Sequence, residues 1–261
     1  MRKKNTPIAF GFAIAVLLGC SAPSNNTTEG EATVLVFSKT EGFRHESIEP
    51  GIEAIRKLGE QHNFQVEATE DASVFNEEKL KSFLVIIYLN TTQDVLNPNQ
   101  QVQMERFIQA GGGFVGVHAA ADTEYDWPWY GKMVGAYFDG HPSDPNVRKA
   151  TLRVLDTNHA ATDPLPKDWV RADEWYNYKS INEANNVLIN LDESTYEGGT
   201  NGESHPISWY KEYDGGRMFF TGLGHTEESY SEPLFLQHLM GGIRYAMGAG
   251  TPVDYSQAYA E

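Results

Sequence analysis

The chain has 261 residues, 40% of them apolar, and 36 Asp and Glu against 20 Lys and Arg, for a net charge of −16. That length is enough for one domain with a substantial core, and the acid excess without a basic stretch excludes nucleic-acid binding and direct adsorption to anionic headgroups. One cysteine, Cys20, excludes disulfides within the chain, so packing alone must hold the domain together.

The N-terminus opens with Arg2, Lys3 and Lys4, followed by an apolar run from Ile8 to Leu18. Charged start, short apolar stretch and small residues at its end are the layout of a secretory signal. The run is shorter than the roughly 20 residues of a membrane span. It ends in Leu17-Leu18-Gly19-Cys20, which resembles a bacterial lipobox. Residues 1–19 are therefore expected to be a signal peptide, with Cys20 the lipidated first residue of an exported protein held at a bacterial membrane on its periplasmic or surface face. Residues 20–31, rich in Ser, Asn and Thr, read as a flexible tether.

Thr33–Ser38 is a β-branched and apolar run that predicts a buried strand. The loop Lys39–His45 follows, then Ile48, Ile52, Ile55 and Leu58 at helical spacing. Phe64–Thr69 alternates as a second strand, Asn76–Lys81 reads as a short helix, and Phe83–Leu89 is a continuous apolar strand suited to the middle of a parallel sheet. Pro98 starts a helix to Ala110, Gly111-Gly112-Gly113 stops it, and Gly113–His118 is a fourth strand. Strands alternating with helices at this spacing predict a parallel sheet covered on both faces. Beyond His118 a Trp/Tyr-rich loop and short helix (Asp122–Phe138) lead to strands near Arg148–Leu155, Asp173–Tyr178, Val187–Leu191, Ile207–Tyr213 and Arg217–Thr221. These suggest an antiparallel extension, with Asp214-Gly215 as a hairpin turn. Pro233–Met247 is a last helix. The expected domain covers residues 32–250, with a tail at 251–261.

Ligands of open parallel α/β sheets sit beyond the carboxyl ends of the strands. Three polar segments fall there: Thr40–His45, His118–Asp122 and Gly222–Glu227. Each puts a histidine just past a strand end. Of the eight histidines, His45, His118, His141, His205 and His225 are the candidates, while His62, His159 and His238 read as solvated or structural. Two chemistries remain open. One is acid/base work by His118 and His225, tuned by Asp122 or Glu227. The other is a divalent metal such as zinc, held by His118, His141, Glu174 and His225. Arg44 and His45 are candidates to orient a substrate, with Glu174 and His205 in support. Trp127, Trp129 and Tyr130 are candidates for a sugar-stacking platform. The acidic stretch Glu193–Glu203 reads as solvated.

Six segments in order then carry a resemblance: Gly111–Asp122, Trp127-Pro128-Trp129, Gly135–Pro142, Asp173–Tyr176, His205–Trp209 and Gly216–His225. Together they resemble the ThuA-like (trehalose-utilisation) family over about Val34 to Met247. The resemblance implies a class I glutamine amidotransferase-like fold. This is a flavodoxin-like three-layer sandwich with a mainly parallel central sheet and an antiparallel extension. Amidotransferases of that fold carry a nucleophilic cysteine on the turn after a central strand, where this chain has His118. A His-x-Glu pair resembling theirs survives as His225-Thr226-Glu227. With Cys20 the sole cysteine, thioester chemistry is excluded. The resemblance implies instead action on a small carbohydrate, a disaccharide or 3-keto-glycoside, by a hydrolase, lyase or isomerase. The alternative is a non-catalytic carbohydrate-binding lipoprotein of an uptake system.

Overall fold

A computed structural model describes residues 1–2 and 32–261. The signal, Cys20 and the tether expected at residues 20–31 lie outside the described residues, Met1 and Arg2 apart.

Five strands form the parallel half of one sheet: β1 (Ala32–Phe37), β2 (Phe64–Thr69), β3 (Val85–Leu89), β4 (Gly113–Val117) and β11 (Gly216–Thr221), in the order β2-β1-β3-β4-β11. β3 and β4 are buried throughout, which is why they read as unbroken apolar runs instead of alternating ones. From β11 the sheet continues antiparallel through β10 (Pro206–Tyr213), β9 (Asn186–Asp192), β6 (Val147–Val154) and the edge strand β7 (Asp168–Glu174). The β10–β11 hairpin turns at Asp214 (φ 50°) and Gly215 (φ 94°), the two positive angles of a type I′ turn. A separate two-stranded ribbon pairs β5 (Tyr137–Phe138) with β8 (Tyr178–Lys179).

The helices are α1 (Ile48–His62), α2 (Glu77–Leu80), α3 (Pro98–Gln109), α4 (Pro128–Val134) and α5 (Pro233–Met247). α1 packs on α5, and α2 on α3, with the sheet as the third layer. α1 buries Ile48, Ile55 and Leu58 along one stripe. α3 starts at Asn97, whose side chain accepts from the Gln100 N–H while the Gln100 side chain accepts from the Asn97 N–H. Among the described residues no helix is long and apolar enough to cross a membrane.

The core runs through the whole sheet; Trp175, Trp209, Phe219 and Phe220 are among its fully enclosed side chains. α5 approaches the chain at Ala160 closely enough that a Cβ on Gly241 would stand 2.2 Å from the Ala160 carbonyl oxygen. Backbone cannot swing aside as a side chain can. Gly241→Ala is therefore expected to destabilise the domain by about 1–3 kcal/mol, the range for overpacking, measured by urea unfolding.

One expectation needs correction. The strand anticipated at Asp173–Tyr178 is two elements, β7 ending at Glu174 and β8 beginning at Tyr178. The chain leaves the sheet between them, placing Tyr176 on the pocket wall and Trp175 in the core. The C-terminal tail is docked: the Asp254 N–H donates to the Ala110 carbonyl at 2.8 Å, and those of Tyr259 and Ala260 to Gln109 Oε1 at 2.9 Å each.

Candidate functional site

The three histidine-bearing segments at the carboxyl ends of β1, β4 and β11 meet. His118 follows β4 at once and is fully buried, with φ at +47°. Only small side chains follow it, Ala119, Ala120 and Ala121, all fully buried, so the chain can turn sharply beneath the site. A histidine with positive φ costs of order 1–3 kcal/mol and persists only where the surroundings impose it. His118 thus occupies a strained elbow, the position where the resemblance puts a nucleophile, and offers an imidazole there.

Glu174 ends β7 across the sheet and points its carboxylate into the same space. Its Oε2 lies 3.2 Å from His118 Nε2 and 3.1 Å from His225 Nδ1. Its Oε1 accepts from Asn146 Nδ2 at 2.6 Å and lies 3.5 Å from His141 Nδ1. The rings of His45, His118 and His225 stand at the corners of an equilateral triangle, each centroid 5.1 Å from the other two. One donor atom each from His45, His118, Glu174 and His225 lies within 4.8 Å of every other.

The hydrogen bonds say what this cluster lacks. His118 Nδ1 is 3.0 Å from the Gly222 carbonyl. A carbonyl only accepts, so Nδ1 carries a proton, and the Nε2 edge of the ring faces the Glu174 carboxylate at 3.2 Å. His225 Nδ1, though 3.1 Å from that carboxylate, lies off the line of a ring N–H and makes no hydrogen bond; His45 Nδ1 is buried without a partner. Lone pairs and a carboxylate facing one point call for positive charge between them. Burial would push Glu174 up, but the His118 and His225 imidazoles beside it outweigh that and hold the carboxyl far below the usual range. His225 is raised, burial being outweighed by Glu174 and Asp173. His45 is driven down to about 2, by burial first and then by His118 and His225, so it stays neutral. The four residues could hold a single divalent cation. Three imidazoles and one carboxylate suit zinc and its first-row neighbours, and the Gly222 carbonyl behind His118 is the outer contact that orients such a ligand.

A pocket of about 320 Å³ opens onto the cluster, lined by Phe43, His45, Asp122, Phe138, His141, Asn146, Glu174, Tyr176 and His225. Asp122 forms part of its wall. Burial raises the Asp122 carboxyl, against the hydrogen bond it accepts from Tyr125. Phe138 and Tyr176 pack with centroids 4.3 Å apart, and Phe43 is 66% exposed.

Several expected site residues lie elsewhere. Arg44 is exposed and ion-paired to Glu49 and Glu70, outside the pocket lining. Trp127 and Trp129 stack on each other at 5.2 Å, their indole N–H groups donating to Glu105 and Asp214. Tyr130 is buried against the Ala120 carbonyl. These rings are packing, and Phe43, Phe138 and Tyr176 are the aromatics that face the pocket. Glu227 is exposed and borders a different cavity, with Pro50 and Glu53; it does not orient His225. His205 is buried between Glu193 (2.7 Å) and the Tyr176 carbonyl (2.8 Å), so it braces the pocket wall, and Glu193 is bonded instead of freely solvated. His141 stands at the mouth, its Nδ1 2.8 Å from the Pro142 carbonyl, outside the four-residue cluster; His45 stands inside it. Asn146 had no signal in the sequence, since one amide in a loop looks like any other.

A flavodoxin-like sheet whose carboxyl edge carries a buried His/Glu centre defines the class of protein. The profile of the ThuA trehalose-utilisation family matches residues 33–246, and the chain belongs to that family. It is similar in structure to a ThuA-like protein from Bacteroides uniformis (TM-score 0.71, 24% identity, 88% of this chain and 96% of that one). A second, from Parabacteroides merdae, gives a TM-score of 0.64 at 18% identity over 86% and 92%. A β-galactosidase from Bacillus circulans shares the fold over 82% of this chain and 30% of its own (TM-score 0.54, 12% identity). No curated protein matches the chain in sequence.

Proposed function

We propose that this ThuA-family protein is an exported lipoprotein enzyme, anchored through Cys20, that acts on an uncharged carbohydrate of the disaccharide or 3-keto-glycoside type. The convergence of His45, His118, Glu174 and His225 at the floor of an open pocket carries the reading. A pure sugar-binding module has need of aromatic faces and amides but not of three imidazoles around a buried carboxylate. A divalent ion bound there would supply Lewis-acid polarisation of a substrate oxygen. The chain supplies the rest. Asp122, whose carboxyl burial raises, is placed to hold or move a proton on the pocket wall. Phe43, Phe138 and Tyr176 offer faces to a sugar ring. The lining contains no Lys or Arg, which argues for hydroxyls or a keto group over phosphorylated sugars. The pocket volume lies within the roughly 300–1,000 Å³ usual for small-molecule sites.

Incubation with a panel of neutral disaccharides and 3-keto-glycosides, followed by mass spectrometry, tests this. Turnover is expected, falling by about 100-fold or more in His118→Ala and His225→Ala and unchanged in Arg44→Ala. Sugar binding without product, or full turnover in both histidine variants, would refute the reading.

A further inference from the structure

The sequence offered Glu227 as the carboxylate that orients His225, and the structure puts a different one in that place. Asp173, the residue before Glu174 on β7, is fully buried. Its Oδ2 accepts the Gly224 N–H at 2.9 Å; its Oδ1 accepts the His225 N–H at 3.2 Å and the Glu174 N–H at 3.0 Å. Ser229 Oγ stands 3.4 Å from Oδ2 and Arg171 Nη2 3.3 Å from it. One carboxylate therefore binds the backbone of two members of the cluster, which lie on segments 51 residues apart in sequence.

The loop it holds is fixed from its other side too. The Gly224 carbonyl accepts from Ser47 Oγ (3.2 Å), Asn90 Nδ2 (3.3 Å) and Tyr230 OH (3.1 Å). Gly224 itself has φ +105°, a conformation strained for any side-chain-bearing residue. Arg171, buried and stacked between Trp169 and Phe235, keeps the charge of Asp173 compensated; an uncompensated buried carboxylate would be costly.

We infer that Asp173 is a positioning residue for the metal centre, a strut that holds the backbones of Glu174 and His225 beside each other, with Arg171 as its counter-charge. The inference rests on the metal reading of the cluster. An aspartate suits the task because both its oxygens accept; an asparagine of the same shape must turn an NH₂ toward a backbone N–H and give up one side of the strut.

The test is Zn²⁺ and Co²⁺ titration of the metal-stripped full chain at neutral pH. Asp173→Asn is expected to weaken binding about 10- to 100-fold, the range for lost outer contacts of metal ligands, and to change the visible Co²⁺ spectrum. Arg171→Met, which keeps the stacking between Trp169 and Phe235, is expected to weaken binding in the same direction and covers the case in which Asp173→Asn does not fold. A purely structural Asp173 would lower the melting temperature and leave the 25 °C metal affinity and Co²⁺ spectrum of the folded variant unchanged; that result overturns the strut alone. Wild-type protein that binds neither ion overturns the strut and the metal reading together.

Discussion

Glu174→Gln is expected to lose divalent-metal binding by more than about 100-fold, beyond the range typical for outer contacts, and to lose turnover with it. The replacement keeps the shape, and its amide oxygen can still accept from Asn146, so the fold should survive. What disappears is the only carboxylate in the four-residue cluster, against which His118 and His225 both stand. Three neutral imidazoles without an anion bind a dication far less well, because the charge is then buried without compensation. Isothermal titration with Zn²⁺, beside the turnover assay, measures both losses. Retained affinity in a folded variant would place the metal, if any, elsewhere.

Acid is expected to destabilise the domain through a second, unrelated histidine. His238 on α5 is fully buried; its Nδ1–H donates to the Ala161 carbonyl at 2.8 Å, and its Nε2 accepts from Thr221 Oγ1 at 3.1 Å. Burial drives it down to about 4 from an ordinary 6.5. The folded form thus binds this proton later than the unfolded chain does. Stability from the neutral ring is present above pH 6.5 and is lost as pH falls toward 4, where the folded form also titrates. The loss amounts to about 3 kcal/mol. Urea unfolding between pH 7 and pH 4 should show this fall in the wild type and a smaller fall in His238→Gln. Equal pH dependence in the two proteins would contradict it.

Much of the parallel half was legible because β3 and β4 are buried throughout, β2 alternates at the sheet edge, and helix start or stop signals stand at Asn97-Pro98, Gly111-Gly112-Gly113 and Pro233. The antiparallel half was less so. Its half-exposed strands alternate, and the break between β7 and β8 depends on where the sheet ends, which no local pattern records. The site was legible as a set of strand ends. Topology puts those ends together, so His118 and His225 could be named from position, while Glu174 lies outside the three strand-end segments. Roles were harder. The Trp127–Trp129 pair has the same composition as a sugar platform and is packing. Arg44 and His45 are neighbours in sequence, but alternation past β1 turns one outward to Glu49 and Glu70 and the other inward to the cluster. Glu227 resembled the partner of His225 by spacing, while Asp173 and Glu174 reach it from the far end of the sheet.

His45, His118, Glu174 and His225 are proposed to form one cation site. Elemental analysis of the purified chain, paired with Zn²⁺ titration after chelation, tests it most directly. About one divalent ion per chain is expected, removed by chelator, restored by titration and absent in Glu174→Gln. A wild-type protein that carries no metal and takes up none would contradict it.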